Sequence, residues 1–206
     1  MGGGAKRVKS YSSDHQILLV GEGDLSFSLS LAKAFGSASN ITATSLDTLE
    51  ELESNYRDGK SNVQELKDLG GTVIHGVNVH TMTQNCIIRS KRYDMIVFNF
   101  PHAGFTPGLS ERNPLAISRH QEVVRGSAKN VVKRFDGEIH VTHKAAYPFS
   151  EWNIETLGEK EGLTLLGSSA FNMRDYPGYS NKRGSGFYCD SAFPVGQSVT
   201  FRFSFH

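Results

Sequence analysis

The sequence predicts an α/β protein in which a single Rossmann-like domain carries a seven-stranded, mostly parallel sheet with an antiparallel last strand. Three observations support this prediction. From residue 16 onward, short apolar and β-branched runs alternate with segments of helical period, as in parallel strands joined by helical crossovers. The first run leads through a glycine-containing turn into a helix. The last run alternates polar and apolar residues, as an antiparallel strand with one wetter face does.

Length and composition are those of one ordinary globular domain. The chain has 206 residues, of which 38% are hydrophobic and 21% charged, and single domains commonly have about 100–200 residues. We expect residues 1–13 to form a flexible basic leader and residues 14–206 to form the domain. The net charge of +1 excludes a general attraction to polyanions, so nucleic-acid binding would require local clusters of Lys and Arg.

Cysteines, histidines and apolar runs bear on compartment and metal binding. Cys86 and Cys189 have no close partner in sequence, and no signal-like apolar segment lies near residue 1, so we expect a reduced, intracellular protein. No run approaches the roughly 18 apolar residues that a membrane-spanning helix requires. His140 and His143 lie three residues apart on one predicted strand and therefore point to opposite faces, so we expect no metal site.

The first strand and helix begin the βα pattern. Gln16–Val20 is almost continuously apolar, which is typical of a strand buried on both faces. Ser26–Phe35 has its apolar residues near one side and is followed by Gly36, a residue that often ends helices. These two segments enclose the turn at residues 21–25.

The second βα unit follows the same plan. Ile41–Ser45 is the second predicted strand, and Thr48 with Glu51 forms a capping box for a helix that reaches about Arg57. The remaining predicted elements are, in order, helix Val63–Leu69, strand Thr72–Val77, helix Thr81–Arg89, strand Tyr93–Phe98, helix Pro114–Phe135, strand Glu138–Thr142, helix Trp152–Lys160 and strands Leu163–Ala170 and Ser198–Phe205. The stretch Asn172–Gly196 lacks periodicity, and a loop of that length is commonly functional or disordered.

The turn after the first strand predicts a nucleotide-like ligand. Its residues approximate G-x-G-x-x-G with serine in the third glycine position, and we expect them to bind the cofactor: Gly21, Glu22, Gly23, Asp24, Ser26 and Phe27. Two carboxylates would repel a pyrophosphate but suit a cationic ligand, which favours S-adenosylmethionine over NAD. The alternative is that Glu22 and Asp24 only cap the helix.

Polar residues after the second and third strands extend this candidate site. Asp47 lies about 20–25 residues beyond the glycines, where a carboxylate can accept hydrogen bonds from ribose hydroxyls of either cofactor. As an alternative, Asp47 caps the helix that begins at Thr48. Asn78 is placed to contact the adenine edge, or else is a simple turn residue.

The end of the fourth strand predicts the reacting site. Asn99-Phe100-Pro101-His102 resembles the Asn/Asp-Pro-Pro-aromatic motif of amino-group methyltransferases, in which an amide and a proline-directed carbonyl accept hydrogen bonds from the nitrogen to be methylated. We therefore take Asn99, Pro101 and His102 as catalytic candidates. His102 has an ordinary pKa near 6.5 in a free side chain and would suit a general base, or else is structural.

The chain as a whole resembles a known family. VGEGDLSFSLSLA at 20–32, TATSLD at 42–47, YDMIVFNFPHAG at 93–104 and YPGYSNKRGSG at 176–186 are similar to the eukaryotic large-subunit (25S) rRNA (uracil-N3)-methyltransferases, including plant members. The resemblance implies a class I methyltransferase fold, S-adenosyl-L-methionine as methyl donor and a ribosomal RNA uridine as acceptor.

The same resemblance implies contacts with RNA. Phe100 or Phe105 would stack on the target base, while Tyr176, Tyr179, Lys182 and Arg183 form an aromatic and basic group of the kind that binds single-stranded RNA. The alternative is a turn with surface aromatics. We expect a monomer that acts on rRNA or a pre-ribosome, in the nucleus and nucleolus or the cytoplasm. Two other functions remain open at this point, a non-catalytic nucleotide- or RNA-binding scaffold and an NAD-dependent oxidoreductase.

Overall fold

The computed structural model describes residues 4–104, 110, 112–131 and 137–204, with the side chains of 127–131 left aside. Its strands are Arg7–Val8 (β1), Tyr11–Ser12 (β2), Ile17–Leu19 (β3), Ile41–Thr44 (β4), Thr72–Ile74 (β5), Met95–Asn99 (β6), Glu138–Lys144 (β7), Thr164–Ala170 (β8) and Ser198–Ser204 (β9). Its α-helices are Ser26–Phe35 (α1), Leu49–Asn55 (α2), Gly59–Asp68 (α3), Cys86–Ser90 (α4), Pro114–Val131 (α5) and Ile154–Lys160 (α6).

One mixed sheet organises the domain. It has seven strands in the order β5-β4-β3-β6-β7-β9-β8. Pairing is parallel from β5 to β7, and β9 runs antiparallel to both β7 and β8. The fold class predicted from the sequence is confirmed. Chain order reverses between β3 and β6, and a crevice at the carboxyl ends of such strands is where open α/β sheets bind ligands.

The central strand β3 is apolar at every position, so it contributes buried side chains to both faces of the sheet. Ile17 and Leu19 of β3 join one buried cluster, and Leu18 joins the other. This alternation follows from the two-residue period of a strand. A Rossmann-like strand between two helical layers therefore has no water-exposed face, as its sequence predicts.

The amino-terminal segment differs from the predicted flexible leader. β1 and β2 pair as an antiparallel hairpin, and Tyr11 is only 2% exposed. The Tyr11 ring packs 6.2 Å from Phe27 and 5.4 Å from His140, and its hydroxyl lies 3.2 Å from His140 Nδ1. Burial of the Tyr11 ring therefore attaches to the domain a segment that the sequence predicts to be a flexible basic leader.

Helix boundaries differ locally for identifiable reasons. The predicted helix Thr81–Arg89 divides into a 3₁₀ turn and α4, because the Asn85 side chain accepts hydrogen bonds from the amides of Ile87 and Ile88 and begins a new helix there. α6 starts at Ile154 because Trp152 belongs to a 3₁₀ turn. The last four residues of the helix predicted to reach residue 135 lie outside the described part of the chain.

Candidate active site

The turn between β3 and α1 needs both of its first glycines. Gly21 has φ of 64°, and a Cβ there would lie 2.9 Å from the Phe98 ring. A Cβ on Gly23 would lie 3.2 Å from the Tyr56 ring. The serine in the third position is Ser26, whose hydroxyl donates to the carbonyl of Ser180 and accepts from the Ser180 amide. The turn is thereby attached to the long loop between β8 and β9.

The two carboxylates of this turn contact the start of α1. Asp24 Oδ1 accepts from the Ser26 amide at 3.0 Å, and Glu22 accepts from the amide and the hydroxyl of Ser28. The capping geometry that the sequence left as an alternative is therefore present. Burial raises the pKa of Glu22 to about 7, against the lowering effect of the Ser28 hydrogen bonds. Burial also raises the pKa of Asp24, which Lys182 at 3.6 Å opposes.

Asp47 and Asn78 follow β4 and β5 at the same edge of the sheet. Burial raises the pKa of Asp47, and a hydrogen bond from Tyr56 lowers it. Asn78 Oδ1 accepts from the His80 amide at 2.9 Å, which is the geometry of a turn residue. Both residues also line the cavity described next, so the turn geometry and a ligand contact are compatible.

A cavity of about 430 Å³ collects most of the predicted site residues. Those in its wall are Gly21, Glu22, Gly23, Asp24, Phe27, Asp47, Asn78, Asn99, Phe100, His102, Tyr179, Lys182 and Arg183. Among the residues that the structure describes, Ser26, Pro101 and Tyr176 are predicted site residues outside that wall. Phe105 lies outside the described residues. Cofactor and acceptor candidates therefore share one cavity, as the strand-end positions predicted.

Asn99 ends β6, and its side-chain oxygen has no partner among the described residues. Its Oδ1 is buried and accepts no hydrogen bond from any described residue. The next residue, Phe100, has φ of 50°, a left-handed conformation that is strained for an aromatic residue. Its amide donates to the Thr142 carbonyl at 2.7 Å, which holds the turn. An unpaired acceptor and local strain at a strand end are typical of functional sites.

Burial makes His102 a weaker base than its ordinary pKa predicts. Burial, with the nearby charge of Lys144, lowers its pKa to about 4. Its Nδ1 accepts from the Gly104 amide at 3.0 Å. A neutral imidazole carries one N–H, so the proton is on Nε2. The lowered pKa makes His102 a weaker general base than the sequence predicts, and the contact with Gly104 leaves its N–H at Nε2.

The aromatic and basic group at residues 176–183 is arranged differently from a surface RNA contact. Tyr176 is 6% exposed and stacks on Phe171 at 5.4 Å, so its predicted contact with RNA is corrected to a core position. Tyr179 lies edge-on to Phe27 at 5.1 Å, within the cavity wall. Lys182 is an ion-pair partner of Asp24 and, at 2.7 Å, of Asp190. Burial of their rings therefore makes Tyr176 a core residue and Tyr179 a residue of the cavity wall.

Sequence reasoning missed the side chains that support the Asn99–His102 turn. His120 of α5 accepts from the Ala103 amide at 3.0 Å and stacks on Trp152 at 4.4 Å. Lys144, at the end of β7, lies 4.8 Å from the centre of the Phe193 ring in the cavity wall. These residues are far apart in sequence, and no spacing pattern connects them. Only the parallel pairing of β6 with β7 and the packing of α5 bring them together.

No group of three or more His, Cys, Asp and Glu side chains is arranged to hold a metal ion in the part of the chain that the structure describes. Within the same residues, no helix has both the length and the apolar character needed to cross a membrane.

The sheet order, the antiparallel β9 and a cavity at the switch between β3 and β6 define a class I, Rossmann-like methyltransferase fold. Solved structures agree. A TehB-like S-adenosylmethionine-dependent methyltransferase from Corynebacterium glutamicum aligns with a TM-score of 0.56 at 16% identity, covering 96% of this chain and 84% of that one. Magnesium protoporphyrin IX methyltransferase from Synechocystis, with bound S-adenosylmethionine, aligns at 0.52 and 12% identity over 93% and 70% of the two chains.

The chain belongs to the BMT5-like family of rRNA (uridine-N3-)-methyltransferases, which matches residues 18–183. An uncharacterised Arabidopsis thaliana protein is 52% identical over 97% of each chain. A second protein of that plant, heavy metal-associated isoprenylated plant protein 41, is 48% identical over 96% of this chain, which spans 38% of it. The yeast 25S rRNA (uridine(2634)-N(3))-methyltransferase is 26% identical, over 86% of this chain and 68% of its own. The predicted family and S-adenosylmethionine-dependent enzyme class are confirmed.

Proposed function

We propose that this protein transfers the methyl group of S-adenosylmethionine to N3 of a uridine in large-subunit ribosomal RNA. The observation that supports this most strongly is the buried, unpaired Oδ1 of Asn99 beside a cavity that the glycine turn also lines. N3 of uracil carries the only N–H of the base, between two carbonyl groups. An acceptor oxygen at the wall of the cavity is complementary to that N–H.

The cavity fits the cofactor by size and by the chemistry of its wall. About 430 Å³ lies within the usual range of small-ligand sites. Gly21 and Gly23 allow a ligand close to the backbone, and Asp47 offers a carboxylate for ribose hydroxyls. Glu22 and Asp24 place two carboxyl groups in the cavity wall, and Glu22, with its pKa raised to about 7, is about half ionised near neutral pH. S-adenosylmethionine, when bound, supplies a methyl group made electrophilic by its sulfonium. Its positive charge complements the two acids.

Asn99 and His102 together match the edge of a uracil. The Asn99 oxygen accepts from N3–H and orients the nitrogen, and His102 Nε2–H donates to a carbonyl oxygen next to N3. As the N3 proton leaves to water, negative charge spreads onto that oxygen, where a donor is most stabilising. Cytosine has no proton at N3, so the Asn99 oxygen would face a lone pair. This pair of residues therefore favours uridine and assists its deprotonation.

Other cavity residues position the base. Phe100 lies edge-on to Phe171 and to Phe193, at 5.5 and 5.4 Å, and these neighbours hold its ring in the cavity wall. We assign Phe100 to stacking on the target uracil and Pro101 to fixing the direction of the turn. Arg183, exposed at the rim, is assigned to an RNA phosphate. Phe105 keeps its assignment to stacking on the base as a proposal from sequence.

Nucleoside mass spectrometry tests the proposed reaction. The protein is incubated with S-adenosylmethionine carrying a deuterated methyl group and with total rRNA, and the RNA is digested to nucleosides. Labelled 3-methyluridine is the expected product, and a label in any other nucleoside contradicts the assignment of N3. The same reaction with the Asn99→Ala variant should yield less labelled 3-methyluridine.

Two binding measurements separate the remaining alternatives. In calorimetry, the protein binds S-adenosylmethionine and not NAD; the reverse result would support an oxidoreductase. Binding of S-adenosylmethionine without transfer to free rRNA or to pre-ribosomal particles would favour the non-catalytic scaffold. We further propose that the protein acts as a monomer in the nucleus and nucleolus or the cytoplasm, which sedimentation and imaging of the tagged chain test.

A further inference from the structure

Residues 183–191 form a compact turn beside the cavity, which we name the 183–191 turn. Four backbone hydrogen bonds close it: Arg183 N–H to Ser191 O at 3.0 Å, Gly184 N–H to Cys189 O at 3.1 Å, Cys189 N–H to Gly186 O at 3.1 Å and Ser191 N–H to Tyr188 O at 3.0 Å. Lys182 attaches the base of the turn through its ion pairs with Asp24 and Asp190. The 183–191 turn is therefore held in a defined place relative to the turn between β3 and α1, which contains Asp24.

Two large aromatic side chains project from this turn into solvent. Phe187 is 94% exposed and Tyr188 is 67% exposed, and their rings lie edge-on at 5.2 Å. Of the large apolar side chains in the described part of the chain, Phe187 is the most exposed. Leaving a phenyl ring in water forgoes the favourable free energy of burial, so an exposed pair next to a site indicates a binding surface.

The position of Phe187 and Tyr188 and the charged residues around them indicate what this pair binds. Gly184 and Ser185, just before Phe187, line the cavity that holds the proposed target base. Exposed Arg183 lies in the same turn, and Arg57 lies close enough to help lower the pKa of Asp190, after the larger effect of its hydrogen bond with Lys182. Arginines suit phosphates, and exposed aromatic faces suit unpaired bases.

We propose that Phe187 and Tyr188 form a stacking surface for the unpaired nucleobases that flank the target uridine in single-stranded RNA. The proposal rests on the proposed function, because it takes RNA as the substrate of the adjoining cavity. A base that enters the cavity leaves its stack, and its neighbours lose a stacking partner. The two rings replace that partner at the rim. Stacking on them tolerates any base, so this surface contributes affinity and register while Asn99 and His102 select uridine.

A fluorescence titration tests this surface without relying on catalysis. The probe is a single-stranded RNA oligonucleotide with 2-aminopurine next to one uridine, titrated with the full-length protein. Stacking on an aromatic ring quenches 2-aminopurine, so wild type gives quenching and saturable binding. Phe187→Ala and Tyr188→Ala are each expected to weaken binding about tenfold and to reduce the quenching. Phe187→Trp retains both.

Three comparisons make the outcome decisive. Phe187→Leu keeps an apolar side chain but no ring, so it behaves like Phe187→Ala if bases stack there. Leu166→Ala, at another exposed apolar side chain on the edge strand β8, is the matched control and leaves binding unchanged. The affinity for S-adenosylmethionine by calorimetry stays at the wild-type value in all variants.

Specific results would overturn the proposal. Wild-type RNA affinity and quenching in the Phe187→Ala, Tyr188→Ala double variant would do so. Full RNA binding by Phe187→Leu, or a dimer in sedimentation that the double variant dissociates, would assign the surface to protein contacts instead. A wild-type protein that binds the probe through these rings but produces no 3-methyluridine would reject the proposed function and leave the stacking surface intact.

Discussion

Replacement of Asn99 by alanine separates a role in function from a role in stability. The Asn99 oxygen is buried and accepts no hydrogen bond from any described residue. A side chain kept for the substrate adds little to folding, whereas a side chain kept for the fold has its partners in the protein. We therefore expect Asn99→Ala to lose methyl transfer while the fold keeps its stability.

The magnitude follows from the unpaired oxygen. Burial of an unsatisfied acceptor costs about 1–3 kcal/mol, which the substitution removes. The shorter side chain leaves a cavity of about 40 Å³, which at about 24 cal/mol per Å³ costs about 1 kcal/mol. The free energy of unfolding should thus rise by about 0–2 kcal/mol, and the melting temperature by about 0–8 °C. Loss of the hydrogen bond that positions N3 before its proton leaves lowers kcat by about 100-fold.

Asn181 supplies the contrast. It is 5% exposed, and its side-chain amide donates to the Phe193 carbonyl. Asn181→Ala leaves that carbonyl without its partner and should lower the free energy of unfolding by about 1–3 kcal/mol. The measurements are urea unfolding and single-turnover transfer from labelled S-adenosylmethionine to rRNA. A kcat of Asn99→Ala within twofold of wild type, or a loss of more than about 2 kcal/mol of stability, would refute the reasoning.

Three further predictions follow from the charges around the cavity. The pKa of Glu22 is raised from 4.5 to about 7 in the folded protein, so between these pH values the unfolded chain has lost a proton that the folded protein still holds. The stability of the cofactor-free protein therefore falls as the pH rises through that window. Glu22→Gln removes this pH dependence of the melting temperature. Because His102 has a pKa of about 4, the pH–rate profile shows no limb near pH 6.5 from His102, and His102→Gln, which keeps an N–H donor, retains more activity than His102→Ala. Lys182→Met breaks the pairs with Asp24 and Asp190, which should lower the free energy of unfolding in urea by about 3 kcal/mol.

Each of these has a clear contrary result. Parallel stability profiles of wild type and Glu22→Gln between pH 4.5 and 7 would show that the carboxyl is not held protonated. A kinetic limb near pH 6.5 that His102→Gln removes would restore the general-base role. Wild-type stability in Lys182→Met would show that neither ion pair contributes, and Lys182→Arg serves as the control that keeps the charge.

Sequence predicted which strand ends meet at one cavity, but it did not predict the contacts made there. The strand ends that carry Gly21, Asp47 and Asn99 converge on one cavity as expected, because parallel strands place their carboxyl ends at one edge. The weakened basicity of His102 was not predictable from its ordinary pKa, since it depends on burial and on Lys144, which lies on another strand. The support that His120 gives to Ala103 also crosses between elements.

What the sequence determined by itself is local or periodic. The alternation of strands and helices, the glycine-containing turn and the polar residues after each strand are readable because each is a pattern among near neighbours in the chain. What only the tertiary structure decided is which side chains remain exposed. Tyr176 is buried against Phe171, while Phe187 reaches solvent. Both are aromatic residues of one long loop, and burial depends on packing between distant segments, which sequence spacing does not encode.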